Sequence, residues 1–402
     1  MGSIAHSSLD ILLQRTSIQF EGGSARLLED KFAKENLIKT LRELTSALET
    51  PEDHIQRVVF FPSTYACARI AIDLKLFNII ADTEGNITSK DLAAKTGAEE
   101  QLLVRVLRPL TFAGLVIEAG DRTYAANEVT KHLKGPSVQA GMIHFFDAGL
   151  RSLSYMPEYF RNNGYKLPSD SVSGPLQFAF NTPLESYAFW NTMPAFADNF
   201  NTFMAGKMGA GKTGQTWENT YPVKTNIIDG FDEKISSAMF VDIAGGRGHE
   251  VGQLKASFPD APGKFILQDL PAVIDDVKDL DCSIERMKYN FFEPQPIKGS
   301  RSYFMANIMH NWTDADCKKI LENVAKVMVK GYSRLLLSDH ILPSTGCSLP
   351  SFGRDIGMLS LHGGVERSEN QWTALLESAG LKVVQFYHLE RGEGLVEAVL
   401  HD

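Results

Sequence analysis

Residues 238–269 decide the fold of this chain, and they read AMFVDIAGGRGHEVGQLKASFPDAPGKFILQD. A mostly apolar run at 239–243 ends in the glycine-rich turn 244–248, a helical pattern follows, and a second apolar run at 265–267 closes on Asp269. This order is typical of half of a nucleotide-binding βαβ unit. Glycines let the backbone approach a ligand closely, and an acidic residue about 20 positions further on suits the two hydroxyls of a ribose.

The turn predicts a site for an adenosine-type cofactor, without choosing among such cofactors. Its D-x-A-G-G-x-G pattern lacks the G-x-G-x-x-G spacing that places a pyrophosphate on a helix N-terminus. The alternative interpretation is a plain glycine-rich turn in a doubly wound sheet.

Strands and helices alternate from residue 229 onward, which predicts an open, twisted α/β sheet of seven strands. In such a sheet, ligands bind at the carboxyl ends of the strands, and we expect the chemistry of the protein there. The predicted strands are 240–243, 265–267, 285–289, 303–306, 335–338, 383–387 and 395–400.

Composition bounds the class of protein. The chain has 402 residues, 44% of them hydrophobic, which allows sizeable cores and suggests two or three domains. Its 40 basic and 49 acidic residues give a net charge of −9, which argues against nucleic acid as a partner. The start has no leader pattern and no run of about 20 apolar residues occurs, so we expect a cytoplasmic protein without a membrane partner. The four cysteines lack C-x-x-C spacing, which predicts reduced thiols.

The first third of the chain has the pattern of a helical domain. Residues 8–50 carry apolar positions three and four residues apart, as in amphipathic helices that need a cover, with a partner subunit as one candidate. Residues 62–133 predict three helices, at 66–76, 89–96 and 99–113, and then a hairpin, which together make a winged-helix arrangement. Such modules read DNA when the third helix is basic, but this one offers only Arg105 and Arg108. The pattern therefore favours dimerisation.

Residues 137–227 are helical and rich in aromatic side chains. Such stripes are either ordinary core or, beside a cofactor domain, the lining of a pocket for a flat, apolar substrate, and both interpretations stay open. His144 is by default a buried core residue, with a role as a pocket acid or base as the alternative. The candidate pocket residues are His144, Phe189, Trp190, Met193, Phe203 and Met309.

Residues 206–213 read GKMGAGKT and match the pattern of a phosphate-binding loop. That motif needs a buried strand before it and a helix after it. Here an amphipathic helical stretch precedes it and Pro222 soon follows, so we do not expect ATP or GTP to bind.

Three polar residues are candidates for the chemistry. His310 follows the fourth predicted strand in YFMANIMHNW and so projects over the cofactor crevice. Two carboxylates end similar segments, Asp339 after the fifth predicted strand and Glu366 in GGVERSENQW. A histidine that hydrogen-bonds to a carboxylate keeps one tautomer and exposes its other nitrogen as a base. On spacing alone, three unrelated polar residues are an equally open interpretation.

Roughly residues 55–402 resemble, in unbroken order, the cation-independent O-methyltransferases of the caffeic acid type, in the form common in fungal secondary metabolism. The likeness rests on the winged-helix-like region, the glycine-rich loop, QDLPAVI, MHNW, LPSTG, and ERSENQW followed by AGLKVV. It implies a Rossmann-like class I methyltransferase domain, S-adenosylmethionine as the cofactor, no metal, and a homodimer. It also implies a dimerisation domain at 1–135, a helical substrate-lining segment at 136–228 and a cofactor domain at 229–402.

The same resemblance implies roles for single residues. His310 would be the general base, oriented by Asp339 and Glu366, for methyl transfer to a hydroxyl of an aromatic or polyketide-type small molecule. The implied cofactor-binding residues are Gly245, Gly246, Gly248, Asp269, Asn290, Phe291 and Trp312.

The sequence also departs from the family pattern. Ala244, Asn290 and Asn311 stand where glycine, aspartate and aspartate are usual, and Ala306 and Asn307 stand where relatives often carry a basic residue. Some fungal relatives retain the cofactor and catalyse dehydrations or pericyclic ring closures, using the sulfonium charge electrostatically. A cofactor-retaining cyclase is therefore the alternative function, and a regulatory protein that contacts a partner through the winged-helix half is a third. The retained histidine and carboxylates favour methyl transfer.

Overall fold

The chain folds into two compact units, Met1–Lys134 and Gly135–Asp402. The computed structural model describes residues 2–20, 23, 30–209, 216–389 and 393–401. The sequence predicts 136–228 as a region of its own, whereas the structure places it in the same unit as the sheet. The reason is a shared core, because Leu176 and Trp190 pack in one cluster with Leu361 of the sheet region.

The first unit is mainly helical and contains the predicted winged-helix arrangement, a three-stranded antiparallel sheet beside helices. Thr88 is the N-cap of the second predicted helix of this arrangement, at 89–96. Its side chain accepts a hydrogen bond from the Asp91 amide at 3.1 Å. The elements are α1 (Gly2–Phe20), α2 (Lys31–Leu48), α3 (Pro51–Asp73), α4 (Leu76–Asp82), β1 (Asn86–Thr88), α5 (Ser89–Thr96), α6 (Glu100–Phe112), β2 (Ile117–Gly120), β3 (Thr123–Ala125) and α7 (Glu128–Leu133).

Helix α3 begins much earlier than the predicted helix at 66–76. Thr50 caps its first turn, and Pro51 occupies a position where a missing N–H costs nothing. The first thirteen residues of α3, 51–63, are exposed on every side. This part carries apolar side chains, but no described residue of the same chain covers them.

The second unit is built on a sheet of eight strands, in which the seven predicted strands have the order β10-β11-β8-β7-β4-β5-β6 and the short β9 pairs with β8. Strands β4 to β8 pair in parallel, and β11 pairs antiparallel with β8 and β10. The strand order changes direction between β4 and β7, and open α/β sheets bind their ligands at the carboxyl ends of the strands at such a point. The strands are β4 (Ala238–Ile243), β5 (Lys264–Asp269), β6 (Glu285–Lys288), β7 (Ser302–Ala306), β8 (Arg334–Leu342), the two-residue β9 (Arg367–Ser368), β10 (Leu381–His388) and β11 (Glu393–Leu400).

Helices cover both faces of this sheet. Val241 and Ile243 pack into one core cluster and Phe240 into another, as expected for a central strand buried on both sides. The helices are α8 (Pro136–His144), α9 (Arg151–Asn162), α10 (Pro175–Phe180), α11 (Ser186–Asn191), α12 (Pro194–Gly209), α13 (Trp217–Thr220), α14 (His249–Ser257), α15 (Pro271–Asp275), α16 (Asp314–Ala325), α17 (Leu349–His362) and α18 (Glu369–Ser378), with π-helical turns at Phe145–Leu150 and Lys224–Ile228 and a 3₁₀ turn at Met309–Asn311.

Strand β8 is longer than predicted, so Asp339 lies inside it and not after it. The extension has two causes. Strand β11 continues alongside as far as the pair Glu393 and His340, and β9 pairs with Ile341 and Leu342.

The phosphate-loop pattern at 206–213 lies partly outside the described residues, since 210–213 are not among them. Gly206 falls inside helix α12, and a Cβ atom there would lie 2.1 Å from the Cβ of Ser137. Gly206 therefore serves close helix packing, and the strand that a phosphate loop requires is replaced by a helix. Across the described residues, no helix combines the length and apolar character needed to span a membrane.

Candidate active site

The glycine-rich turn adopts an unusual backbone after β4. Ala244, Gly246 and Gly248 all have positive φ, at 57°, 61° and 81°. A Cβ on Gly246 would meet no atom within 4 Å, so this side of the turn is open to a ligand. Alanine in the left-handed region costs about 1–2 kcal/mol, so the turn holds Ala244 in a conformation that glycine would adopt freely.

Asp269 ties the turn to the end of β5. Its Oδ2 accepts a hydrogen bond from the Gly246 amide at 2.8 Å, and its Oδ1 accepts one from the Leu270 amide at 2.7 Å. Burial raises the pKa of this carboxyl, and the two amide hydrogen bonds oppose that rise. The structure therefore brings together the turn and the acidic residue, as the βαβ pattern predicts.

Asp242 is a residue that the sequence analysis missed. It is fully buried in β4, its Oδ2 accepts from the Val251 amide at 3.3 Å, and no described residue hydrogen-bonds to its Oδ1. Burial, with a smaller effect from Glu250, raises its pKa to about 8. The available signal was a lone carboxylate inside the apolar strand 239–243, directly before the turn.

Three aromatic rings cluster where the adenine contacts are expected. The ring centroids of Phe291 and Trp312 are 5.8 Å apart, and those of Phe292 and Trp312 are 4.9 Å apart. Asn290 is exposed, and its Oδ1 accepts from the Phe292 amide. Phe292 is a second residue absent from the sequence-based set.

His310 lies between two buried carboxylates. It sits on the 3₁₀ turn Met309–Asn311 that follows β7, and its Nδ1 lies 3.0 Å from Glu366 Oε1 and 3.3 Å from Asp339 Oδ1. Asp339 Oδ2 also accepts from the Met309 amide at 3.2 Å, which fixes the turn on β8. No described residue hydrogen-bonds to His310 Nε2. The three candidate residues therefore form one constellation, and the interpretation as unrelated polar residues is wrong.

The charges of the two carboxylates raise the pKa of His310. Burial by itself lowers the pKa of His310, but Asp339 and Glu366 more than offset this, and the net pKa is raised. Burial raises the pKa of Glu366, against the pull of His310. We take the raised histidine pKa as the dominant effect, since two carboxylates face one imidazole.

The same three groups could also hold a metal ion. Their ligand atoms lie within 4.8 Å of one another. Spacing along the sequence shows no such cluster, because the three residues come from three separate elements. The distances from His310 Nδ1 to the two carboxylate oxygens fit direct hydrogen bonds, which need no metal between the groups. That the site works without a metal stays a prediction.

Aromatic rings surround His144. Its ring centroid lies 4.6 Å from that of Trp190 and 5.2 Å from that of Phe200. Both His144 Nδ1 and Trp190 Nε1 are buried without a hydrogen-bond partner among the described residues. Burial lowers the pKa of His144 to about 4, so the imidazole is neutral at pH 7.

The remaining candidate pocket residues divide between this aromatic cluster and the sheet core. Phe189 and Met193 pack with Trp190, and Phe203 packs against Phe145 and Gly141. Met309 differs, because its side chain is fully buried in the core beneath the sheet.

Comparison with known proteins assigns the family. Residues 215–382 match the O-methyltransferase domain and residues 63–134 match the O-methyltransferase dimerisation domain. The O-methyltransferase penC of Penicillium thymicola is 36% identical over 373 residues, which cover 92% of each protein. The chain belongs to the O-methyltransferase family. This confirms the resemblance that the sequence motifs carry, and with it the class I methyltransferase fold.

Two solved structures have the same architecture as this O-methyltransferase. The structure of LepI in complex with SAM has a TM-score of 0.82 at 28% identity, over 99% of this chain and 100% of that one. A structure described as a pericyclic reaction enzyme has a TM-score of 0.82 at 27% identity, with the same coverage. The scaffold of the O-methyltransferase is therefore shared with a protein of different chemistry.

The O-methyltransferase also carries a buried histidine, His362, which the sequence analysis missed. The ring centroid of His362, at the end of α17, lies 5.3 Å from that of Trp190 and 5.1 Å from that of Tyr187. Burial lowers the pKa of His362, and the charges of His310 and His144 lower it further, to about 3. His362 thus lies between the catalytic candidates and the aromatic cluster, and it lines a small cleft with Tyr187, Asn311 and Trp312.

Proposed function

We propose that this chain transfers the methyl group of S-adenosylmethionine to a hydroxyl of an aromatic or polyketide-type small molecule, with His310 as the general base. The observation that carries the proposal is the placement of His310 Nδ1 between Glu366 and Asp339, which leaves Nε2 without a partner among the described residues. Family membership supports the same reaction class.

The carboxylates determine which nitrogen of His310 acts as the base. Because Nδ1 faces two carboxylate oxygens, we assign its proton to Nδ1, and the lone pair to Nε2. A free phenol has a pKa near 10, about 3.5 units above that of an ordinary imidazole, so complete prior proton transfer would cost roughly 5 kcal/mol. The raised pKa of His310 narrows this gap, and removal of the proton concerted with attack on the methyl group narrows it further.

The residues of the glycine-rich turn suit the cofactor. The open space beside Gly246, the carboxylate of Asp269 at the end of β5 and the unpartnered Oδ1 of Asp242 supply polar groups, and the rings of Phe291, Phe292 and Trp312 supply an aromatic cluster. When bound, S-adenosylmethionine supplies an electrophilic methyl group on a positively charged sulfur. We assign the methionine end to Gly245, Gly246 and Gly248, the ribose to Asp269, and the adenine to Asn290, Phe291 and Trp312.

We assign the substrate to the aromatic cluster around His144. A neutral His144 and the indole N–H of Trp190 offer hydrogen bonds inside an apolar wall of Phe189, Met193 and Phe203, and both nitrogens lack partners among the described residues. Such a wall accommodates a flat ring, and the two nitrogens would bind its carbonyl or hydroxyl groups.

Mass spectrometry of the reaction tests this proposal. The purified protein is incubated with candidate pathway intermediates and S-adenosylmethionine. We expect a product about 14 Da heavier than its precursor, with stoichiometric S-adenosylhomocysteine. Because the predicted base needs no metal, the chelator EDTA should leave the yield unchanged. Loss of product with EDTA, restored by a divalent metal, would instead make His310, Asp339 and Glu366 a metal site.

The likeness to a pericyclic reaction enzyme supports a second candidate function, a ring closure that retains the cofactor. The departures at Ala244, Asn290 and Asn311 suit this candidate. In the same experiment, full conversion of a substrate with no S-adenosylhomocysteine would establish the cyclase and exclude methyl transfer. Replacing the cofactor by S-adenosylhomocysteine would then slow the reaction, because the positive charge on sulfur is lost.

We further propose that the protein is a homodimer formed through its first unit and located in the cytoplasm. The match to the dimerisation domain at 63–134 and the exposed apolar side chains of 51–63 support the dimer. The four cysteines are all unpaired thiols, which supports a reducing compartment.

A further inference from the structure

Arg367 is a buried charge for which the proposed chemistry gives no role. Its side chain is 1% exposed, and it follows Glu366 directly in the chain. Its Nε and Nη2 donate to Asp314 Oδ1 at 3.0 and 2.7 Å, and its guanidinium lies 5.6 Å from the ring centroid of Trp372. Burying a guanidinium is costly unless its donors are paired, so this placement requires an explanation.

Two further acceptors of Arg367 lie on either side of the proposed base. Nη1 donates to the Met309 carbonyl at 2.9 Å, and Nη2 donates to the Trp312 carbonyl at 3.1 Å. Met309 is the first residue of the 3₁₀ turn that carries His310, and Trp312 is its C-cap. One guanidinium therefore binds both ends of the turn.

The residues before Arg367 bind the middle of the same turn. The Val365 amide donates to the His310 carbonyl at 3.0 Å, and Glu366 accepts from His310 Nδ1. A Cβ on Gly364 would lie 2.0 Å from the His310 carbonyl oxygen, so the backbones approach as closely as glycine allows. Residues 364–367 thus hold the turn through main chain, carboxylate and guanidinium together.

We propose that Arg367 is a positioning residue, which fixes the turn Met309–Asn311 so that His310 Nδ1 meets Glu366. Lysine cannot replace it, because only the planar fork of arginine reaches two carbonyls and a carboxylate at once. The catalytic consequence rests on the proposed function of His310, whereas the placement itself is measurable without turnover.

The titration of His310 reports its placement. The titratable and charged groups that face it are Asp339 on β8, Glu366 before β9, and Arg354 and His362 on α17. Asp339 and Glu366 raise its pKa, and Arg354 lowers it. If the turn moves away from Glu366, His310 loses one of the two carboxylates that raise its pKa, and the pKa of His310 falls.

The test compares Arg367→Lys with Arg301→Lys. Arg301 is a matched control, since it is also buried, donates to the carbonyls of Tyr332 and Asn226, and lies over the Tyr332 ring, but contacts no proposed catalytic residue. Histidine-labelled protein is titrated by NMR without cofactor or substrate, and His310→Asn assigns the signal. We expect Arg367→Lys to lower the pKa of His310 by about 0.5 to 1 unit. Arg301→Lys should lower the melting temperature without moving the signal.

Kinetics supply the second readout. Arg367→Lys should lower kcat by about 10- to 100-fold while the KM for S-adenosylmethionine changes less than about twofold, because the turn acts on the base and not on cofactor binding. Asp314→Asn covers the case in which Arg367→Lys does not fold. Asp314 is 76% exposed, so its exchange spares the core. Asparagine keeps the acceptor oxygen but removes the negative charge opposite Arg367, and a smaller shift of the same sign is expected.

An unmoved His310 titration in both Arg367→Lys and Asp314→Asn would overturn the positioning role and leave Arg367 a structural residue like Arg301. A shifted titration in a protein that transfers no methyl group would support the positioning role and refute the proposed function. The two proposals therefore fail separately.

Discussion

At the scale of single residues, we expect the pairing of His310 with two buried carboxylates to govern the pH dependence of the enzyme. The proposed base acts only when Nε2 is unprotonated, so activity should rise with pH through the pKa of His310, which Asp339 and Glu366 hold above its ordinary value. Asp339→Asn removes one raising charge. We expect the acid limb of the kcat profile to move to lower pH while the maximal rate falls.

His310→Ala is the control for this pH profile. It should lower turnover by about 10² to 10⁴ and leave S-adenosylmethionine affinity nearly intact, because a general base acts in the transition state. A pH profile of Asp339→Asn that coincides with the wild-type profile would contradict the assignment of His310 as the titrating base.

Asp269 makes a separate prediction about cofactor affinity. If Asp269 binds the ribose as proposed, Asp269→Ala removes a pair of charge-assisted hydrogen bonds, which should cost about 2 to 3 kcal/mol, or roughly 30- to 150-fold in affinity. The exposed Asp260→Ala is the matched control and should bind as wild type. Calorimetry with S-adenosylhomocysteine measures both, and equal affinities of the two variants would refute the ribose assignment.

At the scale of elements, the sequence predicts the sheet well because its central strands are covered on both faces. Such strands are nearly continuous apolar runs, as at 239–243 and 265–267, and the runs remain visible without any tertiary information. Strand β9 is different. It consists of Arg367 and Ser368, two polar residues, and it forms only because the end of β8 lies beside it. Nothing local in the sequence indicates it.

The residues of the candidate site also include some that the sequence predicts and some that it does not. The family resemblance predicts His310, Asp339 and Glu366 as one site, but spacing alone left open whether they are related, since three separate elements bring them together. His362 precedes two glycines at a helix end, a position that suggests an exposed cap, yet it is buried against Trp190. Asp242 and Arg367 were missed because a charged residue in a sequence suggests a surface, and burial depends on partners distant in the chain.

At the scale of the whole molecule, the exposed part of α3 predicts the assembly. Five apolar side chains there are 61–69% exposed: Ile55, Val58, Val59, Phe60 and Phe61. A patch of this kind is unfavourable in water, and the dimerisation domain follows it directly. We expect a homodimer that covers the patch with a second copy of the chain.

Light scattering of the double variant Phe60→Ser, Phe61→Ser tests this. Each buried phenylalanine contributes about 1.5–3 kcal/mol, so the variant should dissociate at micromolar concentrations where the wild type is a dimer. Leu167→Ser, which changes an equally exposed apolar residue of the second unit, should remain dimeric. A wild-type protein that is a monodisperse monomer at these concentrations would refute the dimer.

Glu366 and Arg367 are neighbours on one short extended segment, and their side chains serve opposite partners: an imidazole for the first, carbonyl oxygens for the second. Because side chains alternate along extended backbone, adding or deleting one residue after Gly364 would exchange these partners. A guanidinium would then face the imidazole, and a carboxylate would face the carbonyl oxygens. The spacing of this segment is therefore as constrained as its chemistry, and Val365 should tolerate substitution far better than the segment tolerates a change in length.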